Sequence, residues 1–519
     1  MKWPEYSLKG EKGRLHMDKT QEQGDGRHPG TVAVVHFFSE RTDGVSLQIQ
    51  ENDRVLSQRG WKVIECSADA TGANSFVLPE LDYSTPQVQI FKRCQTSELQ
   101  NETILENVFE NQVQVIKNKL EELMRQYHPQ VIHVRNILSL PIHPAATVAM
   151  AEFIAEHPAT GFLAQHHDLS FEDEFLPGDR EKAYEIPFPS IQKRVEEALL
   201  YSPPNVHNAV ISSLMQRRLL EGFGIHAAVI PDSLDFENQP KEIAHLREKL
   251  GIRPNDFVIG SMARIIPRKA MEVAVQFIAA LQKRKNEFLG EGRGVYRRTI
   301  TEDSRFLLLL PQSAGLDEPE NAIYFTKLLK YAESLGVEVC YIGDRVVADS
   351  AYRGEPGEIP FYSLYHDVDM LTFPSYQEGF GNQYLEAVAL GKGIVVCHAY
   401  PVMEADILPL ISPEGIISLG NNREYTLDET GLIRLNEEVL QAAVDREVHF
   451  LLHPDEEKTI AARTCQRLKK AFNAEVVGNQ LADLLSKAAN SAMLSAGLLP
   501  VTTSETPEQQ GIGESIQSG

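Results

Sequence analysis

Two glutamates, Glu378 and Glu386, stand eight residues apart, and the segment Gly379-Phe380-Gly381 directly follows the first of them. Carboxylates accept hydrogen bonds from sugar or ribose hydroxyls, and glycines beside a helix amino end let backbone amides approach a phosphate. Two glutamates at this spacing are otherwise commonplace on helix surfaces. A hydrolytic pair as in glycosidases needs both carboxyls flanking one bond, which carboxyls facing opposite ends of a long ligand do not provide. Arg264 and Lys269 form a second group, with Arg268 as a possible substitute. In a strand-end loop two cations neutralise a diphosphate, the guanidinium as a fork and the ammonium as a point charge. On an ordinary surface they form salt bridges.

His166, His167 and Asp168 make a third cluster. Metal ligation lacks support, because neither an H-x-x-x-H pair nor a third ligand spacing accompanies them. A histidine capped structurally by Asp168 is one reading. The other is a cleft histidine that donates to a sugar hydroxyl while Asp168 fixes its tautomer. Strand alternation leaves open which histidine faces inward. Asp43-Gly44 marks a glycine turn after the first strand, a weak phosphate signal. Without G-x-G-x-x-G, a dinucleotide cofactor is unsupported.

Alternating strand and helix patterns must position these groups. Thr31 to Phe38 reads as a buried strand, followed by a turn, a helix to Arg59 stopped by Gly60, and a strand from Trp61 to Cys66. That order marks a parallel α/β fold. An amphipathic helix from Ile104 to Tyr127 leads into a strand from Pro129 to Asn136. The pattern then continues through a helix near 145–156, a strand from Thr160, an acidic loop and a strand from Tyr201 to Ile211. After a break near Pro231–Lys241 it restarts at Asp256, with a helix from Ala270 to Arg284 and strands at 306–310, 337–342, 368–373 and 393–397. Helices are expected at 321–335 and 382–390. Strand-to-helix turns in such sheets bind anions at the strands' carboxyl ends. Glu378 falls in one such turn and Glu386 about two helical turns further on.

The 519 residues are 42% hydrophobic and 24% charged, enough for two globular domains and tails. The net charge of −23 argues against nucleic acid or anionic lipid as the main partner. Five widely spaced cysteines without a C-x-x-C pair fit a reducing, cytoplasmic setting and no structural zinc. The polar opening residues do not form a signal peptide, and no apolar run approaches the ~20 residues of a spanning helix.

Together these positions resemble the retaining nucleotide-sugar glycosyltransferases of family four, with the GT-B fold, which include sucrose-phosphate and trehalose-forming synthases. The resemblance rests on E-x7-E (Glu378, Glu386), on G-x-x-x-R-x-x-x-x-K (Gly260, Arg264, Lys269), on the linker-like Ile230-Pro231-Asp232-Ser233-Leu234-Asp235-Phe236, and on His166-His167-Asp168. It spans residues 31 to about 410. Arg135 to Pro141, with the histidine segment, resembles the subgroup making glycerate-based compatible solutes, such as the mannosylglucosylglycerate synthases.

The resemblance implies two Rossmann-like doubly wound domains facing across a cleft. The boundaries expected are a disordered tail over 1–30, an acceptor-side domain over 31–235 and a nucleotide-sugar domain over 236–470. Helices over 471–494 would return to the first domain, and a second tail covers 495–519. Arg264 and Lys269 would hold the donor diphosphate, Glu378 the donor sugar and Glu386 the ribose. Backbone of Gly379, Phe380 and Gly381 would lie against sugar and phosphate, His166 near the reacting carbon, and Gly44 on the acceptor and phosphate side. The family's linker asparagine is Asp232 here, its first glycine pair is reduced to Asp43-Gly44, and its Arg-Leu is Arg264-Ile265. The reaction implied is retaining hexosyl transfer from a UDP-, GDP- or ADP-sugar to a small soluble hydroxyl acceptor, with no further cofactor or metal. Self-association is compatible with it. The rival readings are a membrane-surface enzyme with a lipid acceptor, which the mixed-charge helix at 104–127 does not favour, and a non-catalytic nucleotide-sugar binder.

Overall fold

The computed structural model describes residues 30–495, apart from 41–43, 94–101, 170–187, 238–241, 244, 292–298, 313–315, 317, 348–351 and 356. Of the tails expected at 1–30 and 495–519, all but Gly30 and Ser495 lie outside the described residues, as do Asp43 and the acidic loop at 170–187.

Two parallel sheets organise the chain. The first has seven strands, Thr31–Val35, Lys62–Ser67, Ser75–Val77, Val131–Arg135, Gly161–His166, Val206–Val210 and Ala227–Val229. Counted along the chain they lie in the order 3-2-1-4-5-6-7. The second has six, Phe257–Gly260, Phe306–Leu310, Glu338–Tyr341, Met370–Phe373, Val395–Cys397 and Ile416–Ser418, in the order 3-2-1-4-5-6. Both are the doubly wound arrangement. Each therefore reverses direction between its first and fourth strands, where a crevice opens at the carboxyl ends. Val131–Arg135 and Phe306–Leu310 are both buried at every position: the second therefore reads as an unbroken apolar run, while the first also buries His133 and Arg135.

The helices follow the sequence pattern closely. Gly44–Gln58 ends before Gly60, whose φ of 85° no longer continues a helix. Glu102–Tyr127, Pro144–Glu156, Met271–Lys283, Pro319–Ser334 and Asn382–Ala389 match the expected segments within three residues. Beyond these, a hairpin (Tyr425–Leu427 with Ile433–Leu435) and helices Glu437–Leu452 and Pro454–Phe472 complete the second half.

The last helix, Ala474–Ser495, lies on the first sheet against Gly161–His166 and the Gly44–Gln58 helix. Contact is so close that a Cβ on Gly161 would sit 2.4 Å from the Ala488 carbonyl oxygen. The chain thus crosses between the halves twice, and the crossings run side by side. Leu234 N donates to Phe472 O at 3.0 Å, and Ala474 N donates to Leu234 O at 3.0 Å. One hydrophobic cluster joins the halves, drawing Leu169, Ile211, Met215 and Leu219 from the first together with Phe380, Tyr400, Met403 and Phe472 from the second.

Candidate active site

The second sheet's reversal point carries the strongest cluster. After Phe257–Gly260 the chain runs through Arg264 to a short 3-10 turn, Pro267–Lys269. After Met370–Phe373 it enters the loop Pro374–Gly381. Lys269 Nζ donates to Glu378 Oε1 at 2.5 Å, and Arg268 Nη1 to Glu378 Oε2 at 3.0 Å. The side chains of Lys269 and Glu378 are 4% and 7% exposed. Burial alone would raise the Glu378 carboxyl, but Lys269 and then Arg268 outweigh it and hold it down to about 2. Burial in turn pushes the Lys269 ammonium down to about 8, against the pull of Glu378. At neutral pH the carboxylate is therefore a fixed anion, suited to accepting hydrogen bonds and unsuited to donating a proton. Arg264 projects exposed from the same loop.

The Pro374–Gly381 loop owes its shape to bonds on its own backbone. Tyr425 Oη donates to Pro374 O at 2.8 Å, Tyr376 N to Arg268 O at 3.2 Å, and Arg268 Nη1 to Gln377 O at 2.7 Å. Tyr400 Oη donates to Phe380 O at 2.6 Å. Gly381 follows with φ 120°, and a Cβ there would lie 1.8 Å from Tyr400 Oη, so both its conformation and its neighbour demand glycine. The loop opens the Asn382–Ala389 helix, which buries Glu386. Tyr365 Oη donates to Glu386 Oε2 at 2.7 Å and Tyr362 Oη to Oε1 at 3.1 Å. Phe380 turns its ring inward onto Phe472, at a centroid distance of 5.2 Å.

Opposite this loop stands the carboxyl end of the first sheet. A Cβ on Gly379 would lie 3.2 Å from His167 O and 3.8 Å from Asp168 Oδ1. His167 is buried, with Arg135 Nη2 2.7 Å from its Nε2 and Asp232 Oδ1 3.3 Å from its Nδ1. Asn136 Oδ1 accepts from His167 N at 2.6 Å, and Asn136 Nδ2 donates to Asp168 Oδ2 at 3.2 Å. His36 Nδ1 lies 2.9 Å from Arg135 O, tying the first strand's end to the fourth's. Among the described residues, no group of three or more His, Cys, Asp or Glu side chains is placed to hold a metal ion.

Two curated relatives align over nearly their whole lengths. The chain is 29% identical over 447 residues to the mannosylglucosylglycerate synthase of Petrotoga mobilis, spanning 85% of this chain and 98% of the relative. It is 26% identical over 468 residues to that of Thermotoga maritima, spanning 88% and 99%. The chain is a GT-B glycosyltransferase. No family model matches it. Among solved structures, the sucrose-phosphate synthase of Thermosynechococcus elongatus superposes with a TM-score of 0.57 at 15% identity, covering 88% of this chain and 98% of that one. The trehalose-6-phosphate protein from E. coli bound with UDP-2-fluoro glucose superposes at 0.55 and 13% identity, covering 88% and 99%. At these identities the superpositions carry the fold alone.

Within the glycosyltransferase, Lys269, Glu378 and Arg268 meet, with Arg264 on the same loop and Gly379, Phe380 and Gly381 continuing from Glu378. Glu386 lies deeper along the helix, on the two tyrosines. Gly44 opens the Gly44–Gln58 helix of the first half. His166 does not join them. As the last residue of its strand it turns toward Asn208, with Nε2 3.4 Å from Asn208 Oδ1, and burial lowers its imidazole to about 4. The next residue, His167, brings its carbonyl oxygen to the Gly379 loop, while its ring lies buried between Arg135 and Asp232. The carboxylate beside its ring is that of Asp232 in the crossover, whereas Asp168 is taken by Asn136. Sequence reading named neither Tyr362, Tyr365 nor Tyr400 as a site residue. The Tyr-x-x-Tyr spacing just before the Met370–Phe373 strand was the signal available for the first two.

Proposed function

We propose that this glycosyltransferase moves a hexosyl group from a nucleotide-diphosphate sugar to a hydroxyl of a small soluble acceptor in the cytoplasm, with retention at the reacting carbon and without a catalytic metal ion. The observation that carries this reading is the Lys269–Glu378–Arg268 cluster at the second sheet's reversal point, with the next residue, Gly379, beside the His167 carbonyl of the first half. Lys269 and Arg264 take the donor diphosphate and stabilise its charge as it departs. Glu378 accepts from donor sugar hydroxyls. Glu386, already hydrogen-bonded by Tyr362 and Tyr365, accepts from the ribose. His167 takes the place beside the donor sugar that the resemblance alone gave to His166.

Retention follows when the acceptor hydroxyl approaches the face that the diphosphate leaves. The departing phosphate oxygen takes the acceptor proton, so no protein nucleophile is used and the cations offset the charge. The names of the full-length relatives support an acceptor of the glycerate-based solute class. The test is a thermal-shift panel of UDP-, GDP- and ADP-sugars, followed by NMR of the product. One nucleotide series should raise the melting point and the product should keep the donor's anomeric configuration. An inverted product, or loss of activity on chelation restored by a divalent cation, would refute the mechanism. Robust binding to anionic vesicles would refute the soluble acceptor.

A further inference from the structure

We propose that Arg135 and Asp232 are positioning residues that hold His167 as a neutral imidazole with its proton on Nδ1. The inference rests on the reading that His167 lies beside the donor sugar. Its first part is chemical. Arg135 Nη2 lies 2.7 Å from His167 Nε2 and Arg135 Nε 3.3 Å from the same atom. A guanidinium has only N–H donors and stays charged. Nε2 must therefore be the acceptor and carry no proton, which leaves the single proton of a neutral ring on Nδ1. That nitrogen faces Asp232 Oδ1 at 3.3 Å, a buried oxygen with no hydrogen-bond partner among the described residues.

The three side chains are buried, with Arg135 fully enclosed and Asp232 7% exposed. A cation at one end and an anion at the other leave the row without net charge, the condition under which buried ions are tolerable. Both ends are themselves held. Asn136, in the left-handed region at φ 59°, turns the chain after Arg135 and accepts from the amide of His167. Gln48 clamps the peptide beside Asp232 in both directions, accepting from Ser233 N at 2.9 Å and donating to Ser233 O at 2.6 Å. The family's linker asparagine is an aspartate in this chain, and the structure supplies a reason: Asp232 balances the buried Arg135 through the ring between them. With Nε2 taken by Arg135 and Nδ1 beside Asp232, His167 is a ring held in place rather than a proton-transfer group.

Long-range proton–nitrogen spectra of the full-length protein labelled with nitrogen-15 histidine, assigned with His167→Gln, test the tautomer directly. The expected signal is a protonated Nδ1 and a bare Nε2. An Nε2–H tautomer or an imidazolium in the unmodified protein would overturn the proposal. In Arg135→Met, where Asp232 still faces Nδ1, Nε2 is freed to gain a proton and the signal should move toward the imidazolium, and kcat should fall by about tenfold or more while nucleoside diphosphate affinity stays within about twofold. Asp232→Ala, in which Arg135 still donates to Nε2, should keep the Nδ1–H signal but lower kcat to a similar extent, and it tests the positioning role if Arg135→Met does not fold. Unchanged kcat in the folded variants would overturn the positioning role. Full activity in His167→Ala would instead sink the functional reading and leave the tautomer result standing.

Discussion

Glu378 and Lys269 are 109 residues apart in sequence and 2.5 Å apart in the fold. They come from the fourth and first strands of one sheet, so the ion pair bridges the crevice that the reversal of strand order creates. The pair is satisfied internally, each partner buried beside the other. On the proposed reading, a donor diphosphate competes for this ammonium and sugar hydroxyls for the carboxylate.

Replacing Lys269 tests the cation's part in the chemical step. Lys269→Ala should lower turnover at least about a hundredfold, the scale of one lost transition-state contact. Steady-state kinetics with saturating donor measure it, and unchanged turnover would refute the assignment.

The same residue sets an alkaline limit. Its ammonium is pushed by burial to about 8, so raising the pH through that value removes the charge and should lower kcat/KM. This fall does not reflect unfolding at this group. Its folded value lies below the ordinary ~10.4, so deprotonation above about 8 favours the folded state. Lys269→Arg, which keeps its charge, should move the alkaline limb upward in a rate-against-pH series.

Glu386 is predicted to act on nucleotide binding rather than on turnover. Glu386→Ala should raise the nucleoside diphosphate Kd by about tenfold or more, as for a lost hydrogen bond to a charged group. Tyr365→Phe withdraws a donor from a buried carboxylate and should cost about 1.5–3 kcal/mol of stability. Calorimetric titration and urea denaturation separate the two effects. A Glu386→Ala variant with unchanged Kd and reduced kcat would reverse the assignment.

Gly381 and Tyr400 should behave as a coupled pair. In Gly381→Ala the new methyl meets Tyr400 Oη at 1.8 Å on backbone with φ 120°, and a loss of at least about 2 kcal/mol is expected. Adding Tyr400→Phe removes the hydroxyl but not the backbone strain, so it should recover part of that loss. A double-mutant cycle showing strict additivity would contradict the contact.

Much of this molecule was legible in its sequence where local pattern decides the outcome. The strand from Thr31 and the strand Phe306–Leu310 were readable because burial on both faces leaves only apolar choices. The loop at Glu378 was readable because glycines and carboxylates gather at a strand end. Contacts set by distant partners were not readable. Tyr400 reaches Phe380 O, and Tyr362 and Tyr365 reach Glu386, through packing that no local period encodes. His166 and His167 have different surroundings because the strand ends at His166, which alternation does not fix. Ala270 adopts φ 48° directly after Lys269, although alanine's intrinsic preference is for the right-handed helix.

The bridge between Leu234 and Asn473 makes the two chain crossings a single strap. Neither crossing is an independent tether, because each hydrogen-bonds the other's backbone. Asp232 sits two residues before that bridge. The strap that joins the halves and the anchor of the His167 ring therefore share one short stretch of chain.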